Sequence, residues 1–176
     1  MAATETAVSL ETYLRTEYRP DVEYIHGQLK EKPAPEFLHG VVQVILGSWF
    51  RDHRKEWNIL VAVETRTQVD VDHVRLPDVV VVRKGEGAHG ALVKAPLIAI
   101  EILSPSDSYA DLRERATDLR AMGVQNIWLL DPHRRNAEVW TGKHWQSFDS
   151  QRLEAVDAPV YLDLDWLWAA VNEEQI

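Results

Sequence analysis

The chain of 176 residues carries 19 Lys and Arg against 28 Asp and Glu, a formal net charge of −9 at pH 7, with 45% hydrophobic and 27% charged residues. That length and balance suit one globular domain with a sizeable core, and the acidic surplus excludes a non-specific basic nucleic-acid coat while leaving room for an enzyme with a local basic rim. Cysteine is absent, which excludes disulfides and thiolate metal sites.

Residues 1–8 are small and polar and read as a flexible tail ahead of a single domain over 9–176. The opening MAATETAVSLETYLR has neither a basic n-region nor an apolar core, and no apolar stretch is long enough to span a bilayer. A soluble cytoplasmic protein with no membrane partner is the expectation. Ser9–Tyr18 predicts a short helix capped by its serine. Asp21–Lys32 predicts a strand or a bent hairpin around Gly27, before Pro33 and Pro35 break the chain.

The longest helix is expected over Glu36–Trp57, where Phe37, Val41, Val44, Ile45, Ser48 and Trp49 fall near helical spacing. Asn58–Val71 alternates as one strand, with Glu64, Arg66 and Gln68 on its polar face. PDVVVVR and PLIAIEIL, separated by the Gly85–Gly90 loop, are short apolar runs of the kind found in central strands. Ser104–Val124 predicts a helix capped by Ser106 or Asp107 and stopped at Gly123. QNIWLLDP is a further buried strand, NAEVWTGKHWQSF a hairpin turning at Thr141–Gly142–Lys143, and YLDLDWLWAAV a closing helix. The sum is a mixed α/β fold: a central mixed sheet flanked by helices, with a strand–helix–strand unit over Pro96–Asp131 and a C-terminal β-hairpin. Five of the seven tryptophans fall late (Trp128, Trp140, Trp145, Trp166, Trp168), which suggests tight packing or an interface such as a homodimer.

Two carboxylates stand out. Asp78 sits at the mouth of the four-valine run and Glu101 lies inside the next apolar strand. If those strands pair, the two meet. A divalent cation such as Mg²⁺ or Mn²⁺ would relieve their repulsion and their desolvation together. The competing reading is structural, with each carboxylate held by an arginine (Arg66, Arg75, Arg113 or Arg115) or by a backbone N–H. The histidines at 53, 89, 133 and 144 show no ligand spacing, and no phosphate-loop or zincin motif occurs.

The ordered set RLPDVVVV, PLIAIEILSPSDS and RERATDLRAMGVQNIWLLDP, together with VEYIHGQL and PAPEFLHG near the start, resembles the Uma2 family (DUF820) of restriction-endonuclease-like proteins, from about Ser9 to about Phe148. The resemblance implies the PD-(D/E)xK nuclease fold and a Mg²⁺-dependent endonuclease acting on nucleic acid, DNA before RNA. It makes Asp78 and Glu101 the metal ligands and catalytic carboxylates. The motif lysine is absent: Leu103 follows Glu101 by two residues, and the helix position where relatives carry lysine is Arg115. Arginine keeps the charge and can orient a phosphate, but it does not act as a general base. Leu119 replaces a family tyrosine and His26 a family aspartate. Glu64 is a candidate third carboxylate, Glu23 a candidate from the N-terminal block, and His39 a candidate helix ligand; Gln68 is weaker. The alternative is a catalytically weak nuclease-fold module that binds nucleic acid or oligomerises.

Overall fold

The computed structural model describes residues 7–174. Most of the expected tail, residues 1–6, lies outside them. Val8 is fastened, its N–H donating to Gly27 O at 3.0 Å and its carbonyl accepting from Tyr24 Oη.

The elements in chain order are α1 (Leu10–Arg15), β1 (Val22–Ile25), β2 (Gln28–Glu31), α2 (Phe37–Asp52), β3 (Ile59–Val63), β4 (Thr67–Asp70), β5 (His73–Arg75), β6 (Val79–Arg83), β7 (Ile98–Ile102), α3 (Tyr109–Met122), β8 (Asn126–Asp131), β9 (Asn136–Trp140), β10 (Trp145–Ser147), β11 (Arg152–Glu154), β12 (Tyr161–Asp163) and α4 (Leu164–Glu173). A six-stranded sheet runs β10-β9-β8-β7-β6-β3. It is antiparallel except for β7 and β8, which lie parallel because α3 carries the chain back between them. A four-stranded antiparallel sheet, β2-β1-β5-β4, stands beside it, and β11-β12 forms a third, two-stranded sheet.

Strand alternation decides which layer covers which face. Val79 and Val81 of β6, with Ile98, Ile100 and Ile102 of β7, bury against Val42, Leu46 and Phe50 of α2 and Leu167 of α4 in the main core. Ala99 and Ile127 turn the other way, to Ala116 and Leu119 of α3. Helices on both faces explain why β6, β7 and β8 read as nearly unbroken apolar runs.

Four expected elements differ in detail. The closing segment YLDLDWLWAAV opens as strand β12 and turns helical at Leu164, where Asp163 caps α4. The long helix ends at Asp52, because residues after His53 turn back so that Trp57 stacks on His53 at 4.3 Å between ring centroids and becomes buried. The helix α3 is capped by Ser108, whose Oγ accepts from Asp111 N, while Asp107 accepts from Ser104 N instead. The expected strand over Asn58–Val71 is two strands. After the pair Val63↔Val79 the chain leaves β6, and it resumes at Thr67↔Arg75 in the other sheet. The break falls at Glu64, which adopts a left-handed φ of +46°. A change of partner leaves side-chain alternation intact on either side, so periodicity alone does not reveal it.

Candidate metal centre and its cavity

The register Val79↔Ile100 between β6 and β7, carried one step further, sets Asp78 opposite Glu101. Both are buried, at 1% and 0% exposure. Ile102 N donates to Asp78 Oδ2 at 2.7 Å, which fixes that carboxylate and leaves Oδ1 for other partners.

The partner of Oδ1 is Lys32, a residue that the sequence did not single out. Its Nζ donates to Asp78 Oδ1 at 2.6 Å, to Glu64 Oε2 at 2.6 Å and to Leu76 O at 2.8 Å. Lys32 follows the end of β2, held by its own N–H to Asp21 O. Its only sequence signal is a thin one, a lysine directly before a proline pair. Glu64 reaches the same point through the strand break, with Gln43 Nε2 donating to its Oε1 at 2.7 Å. From α2, His39 Nε2 comes to 3.5 Å from Asp78 Oδ1, beyond hydrogen-bond length. That nitrogen has no partner among the described residues, while Nδ1 shares a 2.9 Å hydrogen bond with Ser104 Oγ.

The candidates therefore divide. His39, Glu64 and Asp78 each offer one ligand atom, and these atoms lie within 4.8 Å of one another. Glu101 stands beside this trio. Its Oε2 accepts from Arg115 Nη1 at 2.9 Å, and its Oε1 is buried without a partner among the described residues. Arg115 also approaches Asp107 at 3.5 Å, while Asp111, one turn earlier on the same helix, pairs with Lys30. Glu23 is drawn away to Arg75, 2.7 Å from its Oε2, and its Oε1 accepts from Leu76 N. Gln68 pairs with Val74 inside the four-stranded sheet.

Electrostatics follow the geometry. Burial alone would raise Asp78, but the Lys32 ammonium and His39 hold its carboxyl well below the usual carboxylate range. Burial disfavours the charged form of Lys32, yet Asp78, Glu101 and Glu64 keep it charged and raise its pKa. Glu101 is pushed up to about 7 by burial against the pull of Arg115, with the Asp78 charge adding to the rise. Burial also raises Glu64 despite Lys32. His39 is raised, since the Asp78 carboxylate outweighs the effect of burial.

The trio opens on a cavity of about 560 Å³, lined also by Arg19, Lys32, Ser106 and Arg115. Two carboxylates and an imidazole around one point, already bridged by a cation, are a donor set that fits Mg²⁺ or Mn²⁺.

The model of the Uma2 family, described as "Putative restriction endonuclease", matches residues 10–170. Among solved structures, the chain is similar to a "putative nuclease belonging to DUF820" from Anabaena variabilis, at 24% identity and a TM-score of 0.76, covering 93% of this chain and 99% of that one. At that identity the likeness shows a shared fold. No curated protein matches.

Proposed function

This chain belongs to the Uma2 family, and from that premise we propose that it is a divalent-metal-dependent nuclease that hydrolyses phosphodiester bonds, DNA being the favoured substrate. The observation that carries this reading is the convergence of Asp78, Glu64 and His39 in the lining of one cavity, with Glu101 opposite Asp78 and one of its oxygens unpartnered among the described residues. Asp78, Glu64 and His39 would hold Mg²⁺ or Mn²⁺, with Glu101 as the further carboxylate within the same strand pair. A bound divalent cation supplies an activated water and offsets charge on phosphate oxygens.

The chain's own groups do the rest. Ile102 N–H locks the orientation of Asp78. Arg115, permanently cationic and lining the cavity, orients an anionic phosphate. Arg19 adds positive charge to the rim of an otherwise acidic molecule, which favours entry of a polyanion at this one place. The reading puts the protein in the cytoplasm, and Trp166, 37% exposed near the C-terminal end, supports a homodimer.

One observation favours the second reading, a nuclease-fold module that binds nucleic acid without cutting it: Arg115, at the helix position where the family resemblance implies lysine, is already paired to Glu101. Incubation of plasmid DNA and of single-stranded RNA with Mn²⁺ separates the two. The nuclease cleaves with Mn²⁺, and Asp78→Asn lowers cleavage by roughly 10³-fold or more, the several kcal/mol a catalytic metal supplies. Nucleic-acid binding that needs no metal and survives Asp78→Asn, with no cleavage by the wild type, would establish the module instead.

A further inference from the structure

We propose that Lys32 is the resident counter-cation of this site, an ammonium that holds the Asp78 and Glu64 carboxylates together in the metal-free protein and that a divalent cation must displace in order to bind. The inference rests on the metal-site reading above and concerns how that site is regulated.

Three observations support it. The first is occupancy. The ammonium contacts one oxygen of each carboxylate at 2.6 Å, so those oxygens already close on a cation. They do not close on a dication at the same time, since two positive charges would then share one low-dielectric point. The second is attachment. Lys32 hangs on the end of β2, among the described residues an edge strand paired only with β1 and exposed at all four positions, and Pro33 and Pro35 follow it. Its stem is flexible and its charge compact, unlike the rigid fork of an arginine. The third is destination: the cavity of about 560 Å³ that Lys32 itself lines has room for the displaced side chain.

A displaceable internal cation has two functional consequences. The carboxylates stay compensated without metal, so the fold does not depend on metal to offset their burial. Metal affinity is also reduced by the fraction of molecules whose site is closed.

The test is calorimetric titration of Mn²⁺ into the wild type and into Lys32→Met, which keeps the length and removes the charge; circular dichroism checks folding. A second measurement uses the wild type alone: acylation of lysine amines by a soluble reagent, mapped by mass spectrometry with and without saturating Mn²⁺. Lys32→Met is expected to bind Mn²⁺ roughly tenfold tighter or more, and Lys32 in the wild type to become severalfold more reactive when metal is bound. Wild-type binding with no gain in Lys32→Met overturns the proposal while leaving the metal site standing. So does unchanged Lys32 reactivity at saturation, which decides the matter if the variant does not fold. Should neither protein bind millimolar Mn²⁺, the metal-site reading itself fails and this inference goes with it.

Discussion

Arg75 and Lys32 each bridge carboxylates from different elements, and they are built for different ends. Arg75, 1% exposed, binds Glu23 at 2.7 Å, Glu114 at 2.7 Å and Asp118 at 2.6 Å. Its fork points in three directions and each is filled, tying β1 and β5 to α3. Lys32 binds Asp78 and Glu64 at equal distances, but it borders a cavity, and the nearby atoms His39 Nε2 and Glu101 Oε1 have no hydrogen-bond partner among the described residues. Buried charge is therefore a poor marker of function by itself. What separates the two centres is accessible space: in the arginine cluster His73 Nε2 lies unpartnered 3.6 Å from Asp118 Oδ2, as His39 Nε2 does beside Asp78, but of the two clusters it is the lysine cluster that lines the cavity of about 560 Å³.

The sharpest way to break this comparison is Arg75→Met. It strands Glu23 in the interior, and removing one partner of a buried pair costs about 3–5 kcal/mol. Urea unfolding should show that loss, while Mn²⁺ affinity in the folded protein stays at the wild-type level; a parallel loss of metal binding would merge the two centres into one.

A smaller effect concerns Glu101. Its folded pKa of about 7 lies above its ordinary 4.5, so between those values the folded protein holds a proton that the unfolded chain has released. Stability from this group therefore falls as pH rises through that window. In metal-free protein, the difference in unfolding free energy between pH 5 and pH 7 should shrink in Glu101→Gln relative to wild type, by on the order of 2 kcal/mol. An unaltered pH profile would mean that Arg115 keeps Glu101 ionised throughout.

The smallest expected effect is shared by both centres, because α3 carries Arg115 to one and Glu114 with Asp118 to the other. Ser108→Ala removes the N-cap bond to Asp111 N and should lower stability by about 1 kcal/mol, read as a drop in the thermal midpoint.

The legibility of these features in the sequence follows the range of the interactions behind them. Asp78 and Glu101 are visible because one stands directly before a local apolar run and the other inside the next, and consecutive runs of that kind pair. The helix stop at Gly123 was visible too, with φ of +112° making glycine the natural residue there. Lys32 was not. Its partner Asp78 lies 46 residues away, and apart from the prolines that follow it nothing local sets QLKEK apart from any solvated strand end. Glu64 reads as part of a polar strand face, since no glycine or proline marks the break at VETRT. Arg75 reads only as one of several arginines available to a carboxylate, because its three acidic partners come from β1 and α3, far along the chain.

The single left-handed residue between β3 and β4 has one more consequence. Glu64 sits where the chain crosses from the six-stranded sheet to the four-stranded one, Asp78 enters the six-stranded sheet, and Lys32 leaves the four-stranded one. Whatever cation occupies this point is a rivet through two plates. Exchanging a flexible ammonium for a coordinated dication at this point would change what joins the two sheets, so an event at one atom is placed where both of them meet.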